Sequence, residues 1–221
     1  MTADGPGATA GVREPDSFGI AVPEGWTRYD LEGDALAEAR AGMLRRTPDR
    51  AERDLVNGTF RNARRILAAA RRHGAVYAAG VTDLFEDGLL LAGVMIFRLT
   101  PPPGESFTAH ELARQFSATG RRRRDRGDRR FSTVELPGIG PVGRLTGVEE
   151  ADAANGVSYR VLVMHTVIPV PASRRVLIVT GYSPNLPLAD QLYDVFDAIT
   201  GTFSFEYGMF ESGMGGAGEV D

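Results

Sequence analysis

The stretch AVYAAGVTDLFEDGLLLAGVMIFRL, Ala75 to Leu99, decides the fold. Two runs rich in β-branched and aromatic residues, 75–86 and 89–99, flank Glu86-Asp87-Gly88. Glycine after aspartate accepts the positive φ of a tight turn, so the stretch reads as a β-hairpin. A hairpin makes its strands antiparallel. Further strands are expected at 131–136, 141–150, 158–170 and 174–183, each too close to the next for crossover helices. The expected class is therefore α+β: a largely antiparallel sheet of six or seven strands flanked by helices, and no doubly wound nucleotide fold.

Upstream the period changes. Asp34 is expected to cap a helix running to about Arg46. Thr47-Pro48 reads as a second start, a capping hydroxyl followed by a proline suited to the first helical position. That helix should run to His73 and stop at Gly74. Val56, Phe60, Ala63, Leu67 and Ala70 form one apolar stripe. Arg46, Arg50, Arg53, Arg61, Arg64, Arg65, Arg71 and Arg72 fall along its flank at about 100° per residue.

Farther out, Phe18–Val22 reads as a short strand closed by the turn Pro23–Trp26, and Tyr29–Leu31 as another. Downstream, Thr108 and Glu111 complete a capping box for a helix to about Gly120. A basic loop, Arg121 to Arg130, follows. A last helix, 187–200, should turn Leu188, Leu192, Val195, Phe196 and Ile199 to the core, with a final strand at Phe203–Phe205. Residues 1–14 read as a disordered leader, 15–207 as one domain containing the arginine-rich helical segment 34–73, and 208–221 as a flexible, acidic, glycine-rich tail.

Composition narrows the chemistry. The chain has no cysteine, and all 25 basic residues are arginine. Thiol nucleophiles, disulfides, iron–sulfur clusters, Schiff-base lysines and P-loop lysines are excluded. No cofactor is called for. No apolar run reaches the ~18 residues of a membrane span, and the leader lacks the regions of a signal peptide. A cytoplasmic location is expected.

The motifs are weak. Gly138-Ile-Gly140-Pro-Val-Gly143 spells G-x-G-x-x-G, but Pro141 and a following strand leave no helix N-terminus for a pyrophosphate, so a hairpin turn is expected. His73, His110 and His165 show no paired metal-ligand spacing. No G-x-S-x-G elbow occurs. Glu149, Glu150 and Asp152 are expected at a turn. Two Tyr-x-x-x-acid matches, Tyr193–Asp197 and Tyr207–Glu211, decide nothing, since six tyrosines in a chain this acidic supply about one by chance.

Charge is the strongest signal. Residues 40–72 carry a net +7 and residues 121–130, RRRRDRGDRR, a net +5, in a chain whose total is −4. Such concentration suits an acidic protein surface, a phosphate backbone or an anionic membrane; without interleaved aromatics, stacking recognition of nucleic acid is disfavoured.

One resemblance joins these readings. The opening FGIAVPEGW, Phe18 to Trp26, with Pro23, Gly25 and Trp26, and the closing YSPNLPLAD, Tyr182 to Asp190, resemble the PsbP-like fold. That fold is shared with the Mog family of Ran-binding import factors and with small actinobacterial lipoproteins. The resemblance implies an α/β/α sandwich, and a binding or accessory module without a catalytic site. The arginine-rich segment 34–73 departs from the family pattern. A style of sequence similar to actinobacterial proteins adds the expectation of a secretion locus nearby.

The expected function is a non-catalytic accessory module binding an acidic protein through Arg61, Arg64, Arg65, Arg72 and Arg121, Arg122, Arg123 and Arg124. The alternative is a small-ligand or hydrolytic pocket near His165, and a weaker one is non-specific phosphate binding to nucleic acid.

Overall fold

The computed structural model describes residues 13–31, 34–85, 88–104, 129–152 and 158–208. The order is β1 (Ser17–Gly19), β2 (Thr27–Tyr29), α1 (Asp34–Arg46), α2 (Arg50–Arg72), β3 (Ala75–Phe85) and β4 (Gly88–Leu99), then β5 (Arg130–Leu136), β6 (Gly140–Asp152), β7 (Ser158–Pro169) and β8 (Val176–Ser183). A 3-10 turn (Leu186–Leu188), α3 (Ala189–Gly201) and β9 (Ser204–Glu206) follow. The expected helix 108–120, and Arg121 to Asp128 of the basic loop, lie outside the described residues.

Seven strands form one sheet in the order β2-β3-β4-β8-β7-β6-β5, and every neighbouring pair is antiparallel. β1 and β9 make a separate two-stranded sheet. The protein is α+β, with helices on both faces of the large sheet. The hairpin read from Ala75 to Leu99 is present, with Phe85 opposite Gly88.

Strand alternation sorts the core into two halves. Ala92, Val94 and Ile96 of β4 point to one face, where Leu192, Phe196 and Ile199 of α3 cover them. Met95 points to the other face, with Ala78 of β3, under Val56, Phe60, Leu67 and Ala70 of α2 and Leu36 and Met43 of α1. Two glycines make room for the packing. A Cβ at Gly181 would lie 2.4 Å from the Phe196 ring, and one at Gly93 would lie 2.5 Å from the Tyr182 ring on the opposite face.

The helix ends correct three expectations. Asp30, not Asp34, caps α1: its carboxylate accepts from the Asp34 N–H at 2.9 Å and the Ala35 N–H at 3.3 Å. Asp49, not Thr47, caps α2 by accepting from the Glu52 N–H at 3.0 Å. Thr47 is buried and donates its hydroxyl back to the Met43 carbonyl at 2.9 Å, closing α1. A carboxylate two residues on serves the orphan N–H groups better because it is charged. Gly74 does stop α2, at φ +87°. Leu188, expected in the core, is 40% exposed, because the 3-10 turn precedes the α-helical register of α3.

Candidate functional site

α2 has a sharply two-sided exterior. Its apolar stripe faces the sheet, and at ~100° per residue Arg61, Arg65 and Arg72 point directly away, with Arg64 beside them. All four are exposed. α1 runs antiparallel alongside and walls the crest. Arg40 of α1 is clamped to α2 by donating from Nε and Nη2 to Asn57 Oδ1, at 2.9 and 2.6 Å.

Between the helices lies an open groove of about 790 Å³, lined by Arg40, Arg61, Arg64 and Arg65. Small residues, Ala37, Gly58 and Ala68, keep it shallow, and Asp54 is the sole carboxylate on its lining. Among the described residues no acidic side chain forms an ion pair with Arg61, Arg64, Arg65 or Arg72. Guanidinium groups stay charged and can bind carboxylates bidentately, so the face presents positive charge in a form that anions can engage. Arg121 to Arg124 lie outside the described residues.

Not every arginine of the flank serves that face. Arg53 donates to the Leu44 carbonyl at 2.9 Å and the Thr47 carbonyl at 3.2 Å, finishing the C-terminus of α1. Arg72 sits in the last turn of α2, where a cation also favours the helix dipole. Arg40 and Asn57 were not singled out from sequence. Their pairing depends on two helices lying antiparallel, which no local spacing reveals.

His165 belongs to a second cluster on the α2-facing side of the sheet. Its Nδ1 is 2.9 Å from Thr180 Oγ1, and its Nε2 is 3.8 Å from Glu149 Oε1, an ionic rather than a hydrogen-bonded distance. Arg129 Nη2 approaches the same carboxylate oxygen to 2.7 Å. His165, and then the Arg129 charge, hold the Glu149 carboxyl below its ordinary value against the upward push of burial. Glu149 and Glu150 stand within β6 rather than at the expected turn.

The row Thr180–His165–Glu149 has the order of hydroxyl, base and orienting acid. However, β6, β7 and β8 are paired on both sides, so their backbone N–H groups serve the ladder rather than an oxyanion. His73 caps the end of α2, and His110 lies outside the described residues. Gly138 and Gly140, both at positive φ, form the turn between β5 and β6, the expected hairpin. Among the described residues no group of three or more acidic or histidine side chains could hold a metal ion.

On the opposite face, Arg144 is buried between β6 and α3. Its Nε donates to Thr166 Oγ1 at 3.1 Å and its Nη1 pairs with Asp197, while Nη2 has no hydrogen-bond partner. The spacing of Tyr193 and Asp197 thus has a structural use: Tyr193 donates to the Gly147 carbonyl at 3.1 Å and Asp197 neutralises Arg144.

Fold and site together define an antiparallel α+β domain with a basic helix face. No protein-family model matches the chain, and no curated protein matches it. Among solved structures, it is similar to LpqN, described as involved in cell envelope biogenesis of Mycobacterium tuberculosis. The identity is 13% and the TM-score 0.43, over 86% of this chain and 83% of that one. Among the described residues no helix is long and apolar enough to cross a membrane.

Proposed function

We propose that this chain is a non-catalytic accessory module of PsbP-like build, working in the cytoplasm, that holds an acidic protein partner on the outer face of α2. One observation carries the reading: Arg61, Arg64, Arg65 and Arg72 share an exposed face and have no acidic partner among the described residues. Surface arginines usually spend part of their charge on neighbouring carboxylates. Here the crest is left to an incoming one, and electrostatic complementarity of this kind steers association.

The test is binding of a fluorescent oligoglutamate peptide, followed by anisotropy, to the wild type and to a variant with all four arginines changed to Glu. Because the four are exposed, each reversal should cost no more than about 0.5 kcal/mol, and that of Arg72 at the helix end about 1 kcal/mol, read by thermal melting. Peptide binding should fall at least tenfold. Undiminished binding by the variant overturns the reading. Cell fractionation tests the compartment.

A further inference from the structure

The acidic counterpart that fits the arginine crest is present on the chain itself. α3 turns Leu192, Phe196 and Ile199 inward, and at ~100° per residue Asp190, Asp194 and Asp197 fall on the directly opposite side. All three are exposed, Asp197 with its side chain 62% accessible although it pairs with Arg144. The row advances about 6 Å from Asp190 to Asp194 and about 4.5 Å to Asp197, at 1.5 Å per residue. Arg61 and Arg65 are separated along α2 by the same four residues as Asp190 and Asp194 along α3, and Arg64 lies beside them. Two helices laid side by side would therefore bring two carboxylates to two guanidinium groups on successive turns.

The two rows cannot meet within one molecule. α2 packs on the face of the sheet that carries Met95, and α3 on the face that carries Val94 and Ile96. We propose that the chain self-associates head to tail, the arginine crest of α2 in one copy receiving the aspartate row of α3 in the next. This rests on the reading of the α2 crest as an acid-binding surface, and names a second copy of the chain as one occupant. Because donor and acceptor faces lie on opposite sides of the sheet, the contact is heterologous. Each added copy leaves one crest and one aspartate row open, so assembly continues rather than closing at a two-fold dimer. Exposed ion pairs are individually weak and screened by salt, so the association is expected to be reversible and confined to low ionic strength.

Sedimentation velocity of the full chain tests this. At low salt the weight-average mass should rise continuously with concentration past that of a dimer. It should return to the monomer near 1 M salt, where charges are screened within about 3 Å. Two variants then divide the contact: Arg61→Gln/Arg65→Gln keeps only the aspartate row, and Asp190→Asn/Asp194→Asn keeps only the crest. Asp197 is left intact so that Arg144 keeps its partner. Each variant alone should stay monomeric, and an equimolar mixture should form a one-to-one complex and stop there.

A monomeric wild type at every concentration and salt overturns the proposal, as does a mixture that forms no complex. A closed dimer of the wild type overturns it too. The oligoglutamate assay separates the two readings: peptide binding without self-association sinks this inference alone, and loss of both sinks the acid-binding face with it.

Discussion

The two faces of the seven-stranded sheet are closed in different ways. Among the described residues a single helix, α3, sits on one face over the β4, β8 and β7 strands, and Phe196 is fully enclosed over the space left by Gly181. On the other, two helices share the work. Phe60 is as buried as a core residue, yet it borders both the arginine groove and a second groove of about 500 Å³ between α1 and the β2 and β3 strands. The first face is a packed interior around Phe196, with grooves only toward its edges at Val142 and Leu177. The second is a thin apolar layer beneath a charged exterior. The face that carries the arginine crest thus has solvent close to Phe60 of its core.

This contrast is strongest in its first consequence. Phe196→Ala should cost about 3–5 kcal/mol, at the upper end of the range, because its surroundings are close-packed. Phe60→Ala should fall at the lower end, since the vacated space adjoins two grooves and can relax or admit water. Urea unfolding of both variants measures the difference, and equal losses would break the comparison.

A smaller effect separates the helices' beginnings. Asp49→Ala should destabilise by about 1 kcal/mol through loss of the α2 cap. α3 has no side-chain hydrogen bond at its cap, so Leu188→Ser should be neutral or slightly stabilising. The same unfolding experiments check both, and insensitivity to Asp49 would show that packing alone holds α2.

The smallest effect concerns pH. The Glu149 carboxyl is held below its ordinary value in the folded chain. Its contribution is therefore fully present above the unfolded value, about 4.5, and is lost as pH falls through the lower folded value. His165→Gln should flatten that acid limb by lowering stability above the unfolded value, with the two proteins converging at pH values below the folded one. A Tm–pH profile of both proteins tests it, and an identical acid limb in the variant would remove His165 as the cause.

Much of the architecture was legible in local sequence. The Ala75–Leu99 hairpin, the stop at Gly74 and the buried stripe of α2 all follow from period and turn chemistry, which act over a few residues. The helix caps were legible only in kind. Acids and hydroxyls crowd 30–34 and 47–49, and which of them reaches the free N–H groups depends on where the chain enters the helix. Glu149 looked like a turn residue because Ala-Asn-Gly follows soon after. Its place beside His165 is set by the β6–β7 register, in which Leu145 lies opposite His165.

The sequence by itself determined the class of fold, the concentration of arginine in 40–72, and the exclusion of cysteine and lysine chemistry, because composition and short-range periodicity carry these directly. Tertiary structure alone decided that α1 lies against α2 to form a groove, that Arg53 is spent on a helix end, and that arginine and aspartate rows occupy opposite faces. Those facts join residues far apart in the chain, and only the strand order and the side from which each helix packs bring them into relation.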